Sequence, residues 1–106
     1  MAIRVICRCK IAEGDQDAFE QAYLTVTANV RGTPGHLRDE LLRDLSGDGS
    51  SYVLLAEWES MDLFRAWSDD PAHIQASAPM FPYWMDTFQR QIFEVRACLD
   101  EPAERR

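Results

Sequence analysis

The chain opens on a period-two pattern. Ile3, Val5, Cys7 and Cys9 alternate with Arg4, Ile6, Arg8 and Lys10, which predicts a strand with one apolar face and one largely charged face. The period then changes. After Gly14-Asp15, residues Phe19, Ala22, Tyr23, Val26 and Val30 recur at helical offsets, with Asp15 and Asp17 suited to the positive end of the helix dipole. Gly32-Thr33-Pro34-Gly35 stops this helix, because it joins a glycine suited to the C-cap with a proline that cannot continue. From His36 to Asp44 the pattern is less regular, with Leu37, Leu41 and Leu42 set among charges. Ser46-Gly47-Asp48-Gly49-Ser50 then reads as a hairpin loop. Its return arm, Ser51 to Trp58, is the strongest strand, with Tyr52, Leu54, Ala56 and Trp58 on one face and Val53, Leu55 and Glu57 on the other.

Ser60 can cap a second helix with the apolar stripe Met61, Leu63, Phe64 and Trp67, and Asp70-Pro71 fits the cap and first position of a short continuation carrying His73, Ile74 and Ala76. Two prolines between Ala78 and Met85 argue against regular helix there. The large apolar side chains of that segment fit a lid or a subunit contact, with Tyr83 and Trp84 placed to stack over a bound ring. Gln91 to Asp100 alternates Phe93, Val95, Ala97 and Leu99 against Ile92, Glu94, Arg96 and Cys98 as a last strand, and Glu101 to Arg106 is a charged tail.

The order strand, helix, strand, strand, helix, strand predicts an α+β fold of the ferredoxin-like βαββαβ type, one domain over residues 1–100, with an antiparallel sheet covered by helices on one face. The uncovered face would carry Ile6, Val53, Leu55 and Ile92 among Arg4, Arg8, Glu57, Glu94 and Arg96. Apolar atoms there gain by leaving water and the opposed charges can pair, so a homodimer packed back to back is expected.

A chain of 106 residues is one small domain with room for one site. Eleven Lys+Arg against 18 Asp+Glu give a net charge of −7, which argues against binding nucleic acid or an anionic membrane. Arg4 and Arg8 interrupt the first apolar run, so Ala2 to Cys9 is neither a signal-peptide core nor a membrane span, and a cytoplasmic location is expected. Cys7 and Cys9 lie two apart on one strand and are poorly placed to bridge, so free thiols are expected. The two histidines and three cysteines show no CxxC or HxxxH spacing, and no metal site is expected. Asp39-Glu40 and Asp69-Asp70 read as solvated surface.

Three segments resemble the antibiotic biosynthesis monooxygenase family: Ala12-Glu13-Gly14, Thr33 to Leu37, and Ala56-Glu57-Trp58-Glu59-Ser60 followed by Phe64, within a likeness running from Ile3 to Leu99. The resemblance implies a dimeric α+β barrel with a pocket between the apolar sheet face and the helices of each subunit. It also implies oxidation of an aromatic polyketide or similar polyphenol by molecular oxygen without a cofactor, the deprotonated substrate supplying the electrons. Trp58 then aligns with the tryptophan lining the cavity of the family's anthrone oxygenases. Phe64, Trp67, Tyr52, Leu54 and Cys7 would shape the pocket, and Tyr83 and Trp84 would cover it. His73, with an ordinary pKa of about 6.5, would accept the proton. Ordinary core packing is the competing explanation for Trp58, Phe64 and Trp67, and dimer burial for Tyr83 and Trp84.

Two departures bear on activity. Those oxygenases carry an asparagine four residues before the strand tryptophan and a tyrosine six after it, where this chain has Leu54 and Phe64. A polyketide cyclase working without oxygen and a non-catalytic ligand-binding dimer therefore stand as alternatives. Heme degradation fits less well. Heme-degrading members use a strand-one asparagine where this chain has Cys7, and their histidine lies further beyond the helix tryptophan than His73 lies beyond Trp67.

Overall fold

The computed structural model describes residues 2–84 and 87–99. Strand β1 (Ile3–Lys10), helix α1 (Gln16–Ala28), strands β2 (His36–Arg43) and β3 (Ser51–Trp58), helices α2 (Met61–Ser68) and α3 (Pro71–Ser77), a 3-10 turn (Ala78–Met80), the short helix α4 (Phe81–Trp84) and strand β4 (Gln89–Glu94) follow in order. The strands form one sheet in the order β2-β3-β1-β4 with antiparallel neighbours throughout. This is the expected ferredoxin-like α+β architecture.

Local chemistry places the helices. Ser60 accepts a hydrogen bond from the Leu63 amide at 3.2 Å and starts α2, while Asp70 accepts from the Ala72 amide at 2.9 Å and, with Pro71, starts α3. Gly35 has φ +86°, and a Cβ added to it would lie 2.6 Å from the Leu63 side chain. That glycine lets α2 close against the entry to β2.

The helix-side face of the sheet carries two core clusters. One joins Cys9, Ile11, Phe19, Tyr23, Tyr52 and Met80; the other joins Ile3, Val5, Val30, Trp58 and Phe64. β1 and β3 supply both clusters through the alternation read from the sequence.

The structure corrects several expectations. Helix α1 ends at Ala28, so Gly32 (φ +84°) sits in the turn beyond it and is not the C-cap. The segment after α3 is helical despite its prolines. Pro79 occupies the first turn of its 3-10 element, where an absent amide costs nothing, and Met80 is buried in the core beneath it. The segment is thus anchored by Met80, with Phe81, Tyr83 and Trp84 half-buried and Ala78, Pro79 and Pro82 exposed, and Met85 lies outside the described residues.

Strand β4 begins two residues earlier than expected and ends at Glu94. Its register sets Ile92 opposite Val5 and Glu94 opposite Ile3, which puts both on the helix side; Phe93, opposite Arg4, faces outward. Either alternation of this strand contains a large apolar residue, so the sequence pattern could not fix which face was which. Residues 100–106, including the charged tail, lie outside the described residues. Among the described residues, no helix is long and apolar enough to cross a membrane.

Candidate functional site

Between the two clusters, the sheet and helices border a largely apolar, partly open cavity of about 360 Å³. Its floor is the inner sheet face, with Val5 and Cys7 from β1 and Leu54, Ala56 and Trp58 from β3. Its roof comes from α1 through Tyr23 and Val26, and from the second helical layer through Phe64, Trp67 and His73. Met80, Trp84 and Phe88 close one side, so all three tryptophans of the chain border the space. Such a volume lies at the small end of ligand-binding clefts.

The aromatic wall is a connected array. Trp58 meets Trp67 at 5.1 Å between ring centroids, Phe64 edge-on at 5.6 Å and the His36 imidazole edge-on at 5.0 Å. Edge-on contacts set the positive rim of one ring against the negative face of the next. Trp58 is 1% exposed, yet its Nε1 has no hydrogen-bond partner among the described residues. An orphaned buried donor costs about 1–3 kcal/mol.

His73 lies on the roof with its ring 3.6 Å from that of Trp67 and its Nδ1 3.3 Å from the Ser77 hydroxyl. Burial, and then the Arg90 guanidinium, lower its pKa, with Asp70 acting the other way. The downward shift favours the neutral imidazole. Arg90 is the residue that sequence reasoning missed. It pairs with Cys7 across the sheet, borders the cavity and holds its guanidinium 5.7 Å from the centre of the Phe64 ring. The expected last strand began at Gln91, one residue too late to include it.

Trp58, Phe64, Trp67, Leu54, Cys7, Trp84 and His73 all line the cavity. Two expected pocket residues do not. Tyr52 is packed edge-on against Phe19 at 5.2 Å, with its hydroxyl donating to Glu20 at 2.6 Å; burial, and then that bond, push its pKa up to about 12. Tyr83 lies against the same Phe19 ring at 6.1 Å. Both pack with the Phe19 cluster; for Tyr52 the reason is that alternation assigns a face of the sheet but not a position along it. Cys7 and Cys9 have thiols pushed up to about 11 by burial and stay protonated.

Asp39, expected on the solvated surface, borders the cavity from β2. Its carboxylate accepts hydrogen bonds from the Thr27 hydroxyl and from His36 Nε2, the latter at 2.9 Å. Among the described residues, no group of three or more His, Cys, Asp and Glu side chains is arranged to hold a metal ion.

Fold and cavity together define a ferredoxin-like α+β domain built around an aromatic-walled pocket. The sequence pattern of the antibiotic biosynthesis monooxygenase family matches residues 2–79, and the chain belongs to that family. Among solved structures it is similar to SnoaB, a cofactor-independent oxygenase from Streptomyces nogalater, at 25% identity with a TM-score of 0.80, covering 94% of this chain and 98% of that one. It is also similar to the heme-degrader MhuD of Mycobacterium tuberculosis, whose structure has two hemes bound in its active site, at 27% identity and a TM-score of 0.76, covering 92% and 99% of the two chains. Among curated proteins it is 29% identical over 101 residues to SchA of Streptomyces halstedii and 31% identical over 85 residues to a 42.8 kDa protein in the whiE locus of Streptomyces coelicolor. These matches cover 95% and 80% of this chain but 26% and 21% of those proteins, so the chain spans about a quarter of their length.

Proposed function

We propose that the chain is a cofactor-independent monooxygenase that oxidises an aromatic polyketide or similar polyphenol with molecular oxygen. The observation that carries this reading is the cavity itself, a slot walled by all three tryptophans and Phe64, with a neutral imidazole and a guanidinium on its rim of polar groups. The likeness to the oxygenase SnoaB supports it.

The chemistry asks little of the protein. His73 removes a proton from an acidic carbon or hydroxyl of the bound ring system, and Arg90 offsets the resulting negative charge. The electron-rich anion attacks molecular oxygen to give a peroxide at carbon. Protonation and loss of water then leave a carbonyl. In balance, one ring methylene and one dioxygen become one ring carbonyl and one water, with all electrons drawn from the substrate. The apolar walls keep water from the anion. Leu54 and Phe64 supply no polar handle, which gives Arg90 and His73 the task of orientation.

The same reading includes a second copy of the chain on the outer face of the sheet. Leu42 and Phe93 stand exposed there beside Ile6, Val53 and Leu55, and Arg4 pairs with Glu57 at 3.5 Å. A back-to-back dimer would bury this apolar surface, and sedimentation equilibrium giving twice the chain mass is the expected result.

The activity is tested by incubating metal-stripped protein with a panel of hydroxylated anthrones and related polyphenols under oxygen-18 gas. One labelled oxygen per product molecule is expected. Turnover that continues unchanged under argon would favour a cyclase instead.

A further inference from the structure

His36 and Asp39 are three residues apart on β2, a spacing that places side chains on opposite faces of a regular strand. Here they share a face. The register shifts between His36 and Arg38, so that His36 lies opposite Trp58 while Asp39 lies opposite Ala56. A β-bulge of this kind inserts one residue and reverses the alternation beyond it, and exposed Leu37 is the residue it absorbs. Without the bulge, either His36 or Asp39 would point away from the helices.

The result is a carboxylate fixed at the cavity wall. Thr27 on α1 and His36 each donate to Asp39, one to each oxygen, and both Asp39 and the neighbouring Tyr23 border the cavity. An ionised carboxylate offers about four acceptor positions, so two bonds hold its orientation and leave capacity on the cavity side. Glu40, Thr27, Arg90, His73 and Ser77 are the other polar or charged residues bordering the cavity, and the Trp58 indole lies against the His36 ring.

Asp39 is on one edge strand of the sheet and Arg90 on the other. From the register, Asp39 aligns with Ala56, Val5 and Ile92, and Arg90 with Cys7, Leu54 and Leu41, so the two lie three strand spacings and one two-residue step apart. That is roughly 15 Å between backbones, less the reach of both side chains. The floor between them is Ala56, Val5, Leu54 and Cys7, with no charge. The cavity therefore has a cationic end and an acceptor end joined by a flat apolar bed.

Resting on the reading of this cavity as a site for flat aromatic molecules, we infer that Asp39, oriented by His36 and Thr27, accepts a hydrogen bond from a ligand hydroxyl at the end opposite Arg90. The ligand class that fits is a planar fused-ring molecule with an anionic or carbonyl oxygen at one end and a hydroxyl at the other. Asp39 then fixes which way round the molecule lies, and hence which ring meets His73.

Two soluble probes separate the ends. Under argon, the intact chain is titrated calorimetrically with 2-naphthoate, which has only the anionic end, and with 6-hydroxy-2-naphthoate, which has both. Wild-type protein is expected to favour the hydroxylated probe by roughly tenfold or more, as for a hydrogen bond to a charged acceptor. Asp39→Leu should bring the two affinities within about threefold of each other; Asp39→Asn, which keeps the shape and offers a weaker neutral acceptor, should lose part of the preference. Thermal melts of each variant establish that it is folded, and Asp39→Asn serves if Asp39→Leu is not. Full retention of the preference in a folded variant overturns the inference. Equal binding of both probes by the wild type, with oxygen-18 incorporation into polyphenols intact, overturns the inference alone. Failure of the wild type to bind either probe overturns both the inference and the pocket reading on which it rests.

Discussion

Tyr52 and Trp58 stand on the same face of the same strand, six residues apart, and each anchors one of the two core clusters. Both are essentially inaccessible to water. Their polar atoms differ. The Tyr52 hydroxyl is bonded to Glu20, and its ring is one of several set edge-on to Phe19 and does not line the cavity. The Trp58 N–H is unpartnered among the described residues, and its ring forms part of a cavity wall. A satisfied polar group in a packed cluster contributes stability, whereas an unsatisfied one is a cost. The Tyr52 half is therefore scaffold, and the Trp58 half borders the candidate site, to which Tyr23, Met80 and Trp84 add lining from beside Phe19.

This division makes opposite demands on mutants of the two halves. The largest expected effect is on the scaffold: Phe19→Ala should cost about 3–5 kcal/mol by leaving a void among Tyr52, Tyr83 and Trp84, measured by chemical denaturation. On the site side, Trp58→Phe should lower kcat/KM by about tenfold through the altered cavity wall, while changing stability less than Phe19→Ala does. Tyr52→Phe should reverse that profile, costing about 1 kcal/mol for the bond to Glu20 and leaving kcat/KM within a factor of about two. Loss of activity in Tyr52→Phe would remove the distinction between the halves.

The smallest expected effect is on pH dependence. Burial, Arg90 and Asp70 all act on His73, next to Trp67 and Ser77, with the net shift downward. Because the folded chain resists protonating this imidazole more than the unfolded chain does, stability is fully present above the unfolded pKa of about 6.5 and erodes as the pH falls below it. The activity's acid limb should likewise lie below that value. Arg90→Gln removes a neighbouring positive charge, so the His73 resonance followed by NMR should titrate at higher pH and the acid limb should follow it.

The sequence made the scaffold more legible than the site. Strands β1 and β3 are legible because buried and outward residues alternate cleanly, and the Ser60 and Asp70-Pro71 caps are local signals that the structure reproduces. The aromatic wall follows from the same alternation and from the α2 stripe. Three features of the cavity were hidden, each for a physical reason. The bulge after His36 reverses the alternation and turns Asp39 inward. In β4, Ile92 and Phe93 offer two equivalent apolar alternations, so neither the register nor Arg90 could be read. Tyr52 and Trp58 have the same pattern signature, and only the packing of Phe19 shows which of them borders open space.

The most direct test is to titrate the chain with a hydroxylated anthraquinone and follow indole fluorescence, since Trp58, Trp67 and Trp84 all face the cavity. The account predicts saturable quenching at one molecule per chain, abolished when Ala56→Phe fills the floor. Quenching that does not saturate, or that persists unchanged in a folded Ala56→Phe protein, would contradict it.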